Sequence, residues 1–157
     1  MSENRLYAVL LKTDDLHPQI IMSSILQIGS NVCQLARSFI SCDYVQVVKA
    51  AGIKNPYRLL VDEEGMCKEK PVLNFLASYL YGTHHHGQPI VGNAVLVAEE
   101  VLPNGDRDLR LLTKKEAEDA RFDLEYVALA AYQLIVAKME QSGMMQNKPP
   151  HIDKNLN

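Results

Sequence analysis

A chain of 157 residues with a formal net charge of −3 and a pI near 5.9 has the length for one compact domain with its own core, and it lacks the basic footprint that nucleic acid demands. No apolar run approaches the roughly 20 residues of a membrane span, and residues 1–5 are polar and lead into a strand, not a signal peptide. Cys33, Cys42 and Cys67 are odd in number and show no Cys-x-x-Cys spacing, which argues against a disulfide framework or a zinc ribbon and makes the cytoplasm the expected address.

In chain order, Leu6-Tyr7-Ala8-Val9-Leu10-Leu11 predicts a first strand, closed by the turn Lys12-Thr13-Asp14-Asp15. Residues 17–22 predict a short edge strand, since Pro18 excludes a central one. Residues 31–39 predict a helix with Val32, Leu35, Ala36 and Phe39 on one face and Ser30 as its N-cap. Tyr44-Val45-Gln46-Val47-Val48 is rich in strand formers, and Gly52 and Asn55-Pro56 break the chain after it. Tyr57-Arg58-Leu59-Leu60-Val61 is the next strand. It runs into Asp62-Glu63-Glu64-Gly65, a turn whose acidic residues favour bends and whose glycine suits a φ > 0 position.

Pro71 suits a helix start, and Val72, Leu73, Leu76, Ala77 and Leu80 follow at helical spacing. Asn74 stands among apolar neighbours in that first turn. Its amide either closes a local hydrogen bond or, beside the acidic turn, lines a polar site. Residues 90–97 predict a strand bulged at Gly92, Pro103-Asn104-Gly105-Asp106 a turn, and Leu109-Arg110-Leu111 the pairing strand. Thr113-Lys114-Lys115-Glu116 is a capping box. Behind it Ala117, Ala120, Leu124, Val127, Ala131, Leu134 and Ile135 form an apolar stripe on a helix reaching about Glu140, which covers the sheet or pairs with another protomer. Residues 1–142 thus read as one domain and 143–157, with Lys148-Pro149-Pro150, as a flexible tail.

Few constellations carry chemistry. His84-His85-His86 offers imidazole ligands for a transition metal, which with an acidic partner such as Glu63 would make a metal-dependent hydrolase. Adjacent loop residues cannot all face one ion, however, and no His-Glu-x-x-His spacing is present. No serine sits in a Gly-x-Ser-x-Gly elbow, and no phosphate-cradling glycine loop occurs. The neighbours in Glu63-Glu64 and Glu99-Glu100 point to opposite faces of an extended chain, which is poor geometry for an acid–base pair. Tyr79 and Tyr81 could stack on a planar ligand or pack at a helix end. The residues favoured for ligand binding are therefore Glu63, Glu64, Asn74, Tyr79 and Tyr81, with His84, His85 and His86 for a metal.

Taken in order, Gln34-Leu35, the strand at 44–48, Leu60-Val61-Asp62-Glu63-Glu64-Gly65, Asn74, the segment 90–97 and Leu111-Leu112-Thr113 form a pattern that resembles the family known as domain of unknown function 3846. The pattern covers about residues 6–125 in outline; 62–65 and 90–97 are its specific segments. Asp62 stands where that family commonly has Asn, and the insert at 84–87 is longer than in its shortest members. The resemblance implies a small protein of bacteria, phages or mobile elements, and it carries no established activity.

The sequence thus predicts a single α+β domain: a mostly antiparallel sheet of five or six strands with two or three helices, including a long C-terminal one. The expected role is a non-catalytic binding module for a small metabolite or a host protein, with no cofactor, no nucleic acid, no membrane and a possible homodimer. The alternative is the metal-dependent hydrolase built on His84, His85 and His86.

Overall fold

The apolar runs Ala8-Val9-Leu10-Leu11, Leu59-Leu60-Val61 and Ala94-Val95-Leu96-Val97-Ala98 put large side chains on both faces of their strands, so both faces of the sheet need cover. The computed structural model, which describes residues 5–22, 32–49, 52–83 and 87–142, supplies that cover. Its elements are β1 (Arg5–Leu11), β2 (Gln19–Met22), α1 (Val32–Ile40), β3 (Val45–Val48), β4 (Tyr57–Asp62), a 3-10 turn (Gly65–Cys67), α2 (Phe75–Tyr81), β5 (Ala94–Val101), β6 (Arg107–Arg110), β7 (Leu112–Thr113) and α3 (Lys114–Ser142). The class is the α+β single domain expected, with the long C-terminal helix in place.

The seven strands among the described residues pair antiparallel; five follow the order β2-β1-β5-β4-β3, and β6 and β7 pair off that path. The count exceeds the expected five or six because the chain about the segment read as one strand, Leu109-Arg110-Leu111, forms two, β6 and β7. Tyr7 pairs with Leu112 and Ala98 with Arg110, so β7 and β6 fill the wedge where β1 and β5 diverge. Of residues 17–22, Gln19–Met22 form an edge strand, β2, and Pro18 lies just before it.

Side-chain parity separates two cores. Val9, Leu11, Leu59, Val61 and Leu96 pack with Leu76 and Leu80 of α2 and Ala117, Ala120, Leu124 and Ala128 of α3. Ala8, Leu10, Leu60, Val95 and Val97 pack with Val32, Ala36 and Ile40 of α1. Leu59 and Leu60 are both fully buried, on opposite faces, and each contributes about 1.5–3 kcal/mol of apolar transfer. Small residues let α3 lie close to the sheet, but its burial ends at Ala131. Leu134 and Ile135 of the expected stripe, past that point, are only half-buried, and Val127 is half-buried at the edge of the core.

On the other face α1 is short. Beyond its reach the sheet ends in a polar cluster: Arg58, 7% exposed, bonds to Glu99 at 3.3 Å and to the Asn55 side-chain oxygen at 3.0 Å, and Arg107 reaches the same Glu99 oxygen at 3.0 Å. Glu100, its neighbour, instead faces Arg5 and Arg110, the opposite-face arrangement that adjacent residues on a strand enforce.

Three local expectations are corrected. Gly65 does not take φ > 0; a Cβ there would lie 3.1 Å from the Val91 carbonyl oxygen and 3.3 Å from its Cβ, so glycine serves close approach. The helix after Pro71 begins at Phe75, because Leu73 forms a bridge with Val91 and the Gly92 amide donates to the Val72 carbonyl at 2.8 Å. For the same reason β5 begins at Ala94, after Gly92 turns the chain at φ +82°.

Candidate functional site

The acidic turn is built from its first residue. Asp62 Oδ1 accepts the Glu64 amide at 2.9 Å, an Asx turn that reverses the chain after β4. Lys68 returns to Asp62 at 3.1 Å and donates to the Ser41 carbonyl at 3.1 Å, so the Asp62 charge is neutralised inside the fold. The hydrogen bond to Asp62 raises the Lys68 pKa and keeps it cationic. Burial pushes the nearby Cys42 thiol up, and the Asp62 charge adds to the effect, favouring the protonated form. Gly65 then brings the turn against Val91.

The opposite wall is held by α2. Asn74 is its N-cap: Oδ1 accepts the Ala77 amide at 3.0 Å, while Nδ2 donates to the Leu11 carbonyl at 3.0 Å and the Gly92 carbonyl at 2.9 Å. Its backbone amide donates to the Ile90 carbonyl at 2.9 Å. One turn on, Ser78 Oγ accepts the Ile90 amide at 2.9 Å and donates to the Ile90 carbonyl at 3.2 Å. Together they fix residues 90–92 as a wall.

Between the turn and the wall lies a cleft of about 140 Å³. Gln46 and Val48 come from β3, Asp62 and Glu63 from the end of β4, Tyr81 from the end of α2, and Gln88 from the segment leading to the wall. Glu63 forms no ion pair among the described residues, so of the two carboxylates at the cleft it is the one left unneutralised.

Of the residues favoured from sequence, Glu63 and Tyr81 meet here. Glu64 is exposed on the turn, and only its amide is engaged by Asp62. Asn74 is fully buried and positions the cleft wall without lining the cleft. Tyr79, two residues before Tyr81, points away on the helix. It lines a separate apolar groove of about 270 Å³ with Leu73, Phe75, Leu134, Ile135 and Lys138. His84, His85 and His86 lie outside the described residues; their flanks are joined by the Gly87 amide donating to the Thr83 carbonyl at 2.7 Å. Among the described residues no group of three or more His, Cys, Asp or Glu side chains could hold a metal ion.

Sequence reasoning missed Gln46 and Gln88. Gln46 carried one signal, a lone amide inside an otherwise apolar strand; Gln88, in a loop, carried none. Asp62, Glu63 and Gly65 line one side of the cleft, and Ile90 and Val91 line the other. No family model matches the chain, and no curated protein or solved structure is found similar to it.

Proposed function

We propose that this chain is a non-catalytic binding module of a phage or mobile element, and that its cleft takes a small polar metabolite bearing an amino or amide donor. The setting rests on the resemblance to domain of unknown function 3846. The ligand class rests on one observation: Glu63, Gln46, Gln88 and Tyr81 face a cleft of about 140 Å³ whose other carboxylate, Asp62, is already paired with Lys68. An unneutralised carboxylate disfavours phosphate and favours a cationic or N–H-bearing group. The volume is below the few hundred Å³ of a drug-sized pocket and suits a ligand of amino-acid size.

Native mass spectrometry of untagged protein isolated gently from cells, followed by heat release and small-molecule analysis, tests the reading. The expected result is an added mass that leaves on heating and is lost in Glu63→Gln. A clean apo mass, with no saturable binding across a panel of amines and amino acids, would overturn it. A host protein retained by the apo chain would then move the role to protein binding.

A further inference from the structure

We infer that the chain forms a two-fold dimer by pairing β3 with β3 of a second copy, joining two sheets into one. β3 ends the strand order, and its outer side meets no other strand among the described residues. Which backbone groups face outward follows from one bond. The Glu63 amide donates to the Tyr44 carbonyl at 3.1 Å, so Tyr44, Gln46 and Val48 hydrogen-bond inward to β4. Val45 and Val47 present their N–H and C=O groups to the outside, and Asp43 and Lys49 lie just beyond the two ends of the strand.

An unpaired row of this kind is a template for another strand. Antiparallel pairing about a two-fold axis at Gln46 sets Val45 against the partner's Val47, so outward groups meet outward groups. The same register sets Asp43 against the partner's Lys49 at both ends of the interface. Neither residue is in an ion pair among the described residues. The segment Asp43-Tyr44-Val45-Gln46-Val47-Val48-Lys49 is thus self-complementary in charge, with Tyr44 61% and Val47 43% exposed as apolar cover. The edge also lacks the usual guards: no proline, no bulge and no charge within Val45–Val48. The pairing requires no ligand in the cleft. Since Gln46 lines the cleft, the axis would bring two clefts side by side.

The test is the mass of the full chain in solution by sedimentation, for wild type and three variants. Wild type is expected to be dimeric. Val47→Pro removes an outward N–H and no bond to β4, so it should give a folded monomer. Lys49→Glu puts like charges opposite one another at both ends and should weaken the dimer roughly tenfold. Asp43→Lys combined with Lys49→Glu should restore it. A monomeric wild type at high micromolar concentration overturns the proposal, as does a dimer indifferent to both Val47→Pro and Lys49→Glu. A chain that stays monomeric yet captures extended peptides of other sequence would also overturn it. If Val47→Pro fails to fold, judged by circular dichroism, the charge-reversal pair decides alone.

Discussion

Asn74 uses both amide hydrogens and its oxygen inside the fold, joining the end of β1, the start of α2 and the cleft wall. Replacing it with Asp keeps the cap on Ala77 but sets a carboxylate against the Leu11 and Gly92 carbonyls. Asn74→Asp should therefore lose about 2–4 kcal/mol, no less than Asn74→Ala. Urea unfolding measures both, and a near-wild-type Asp variant would refute the assignment. Gly65 and Gly92 make a second pair of contrasts. Gly65 is needed for space against Val91, Gly92 for its φ of +82° with nothing within 4 Å of a Cβ. Alanine at either should cost about 1 kcal/mol. Asparagine, which tolerates the left-handed region, should recover part of the loss at Gly92 and worsen it at Gly65. Parallel denaturation curves for the four variants separate the two causes. At this scale the sequence was partly legible: an Asn before a helix reads as a cap, but its carbonyl partners, Leu11 at the end of β1 and Gly92 just before β5, are set by the tertiary fold.

At the scale of elements, the start of α3 shows what local chemistry can specify. The Glu116 amide donates to Thr113 Oγ1 at 3.1 Å and the Thr113 amide donates to Glu116 Oε1 at 2.9 Å, the reciprocal bonds its four-residue signature predicts. Arg110 from β6 then clamps both Glu116 oxygens at 2.8 Å, a partner the local signature could not reveal. That clamp, chiefly, lowers the Glu116 pKa to about 2, with the Thr113 bonds adding to it. The folded pKa lies below the ordinary 4.5, so the stabilisation is complete above that value and is lost as the pH falls through about 2. Glu116→Gln should cost about 1 kcal/mol at neutral pH, since the pair is partly solvated. Its deficit relative to wild type should shrink as the pH falls through this window, read from urea midpoints at stepped pH. The starts of α2 and β5 were less legible because the bridge between Leu73 and Val91 fixes both, and no local pattern marks such a bridge.

For the whole molecule, β5 is the centre. It lies between β4 on one side and β1 and β6 on the other, with α1 over one face and α2 and α3 over the other. Amides of Ala94 to Ala98 should exchange with solvent only on global unfolding, whereas those of β2 and β6, at the margins, should exchange orders of magnitude faster. Hydrogen exchange followed by mass spectrometry measures this, and uniform protection across the sheet would contradict it. The two-faced core was legible in the unbroken apolar runs. The cleft was not, because Gln46, Glu63, Tyr81 and Gln88 belong to four separate segments that only strand register and the approach of Gly65 to Val91 bring together.

The contact between Gly65 and Val91 also bears on ancestry. Any larger residue at the turn displaces the backbone of the wall, so drift at one segment exposes the other to selection. Descendants of a common ancestor built on this plan should therefore change at these two places together or at neither. A lineage that retains the acidic turn but has lost the glycine would be expected to have remodelled the approach to β5 as well.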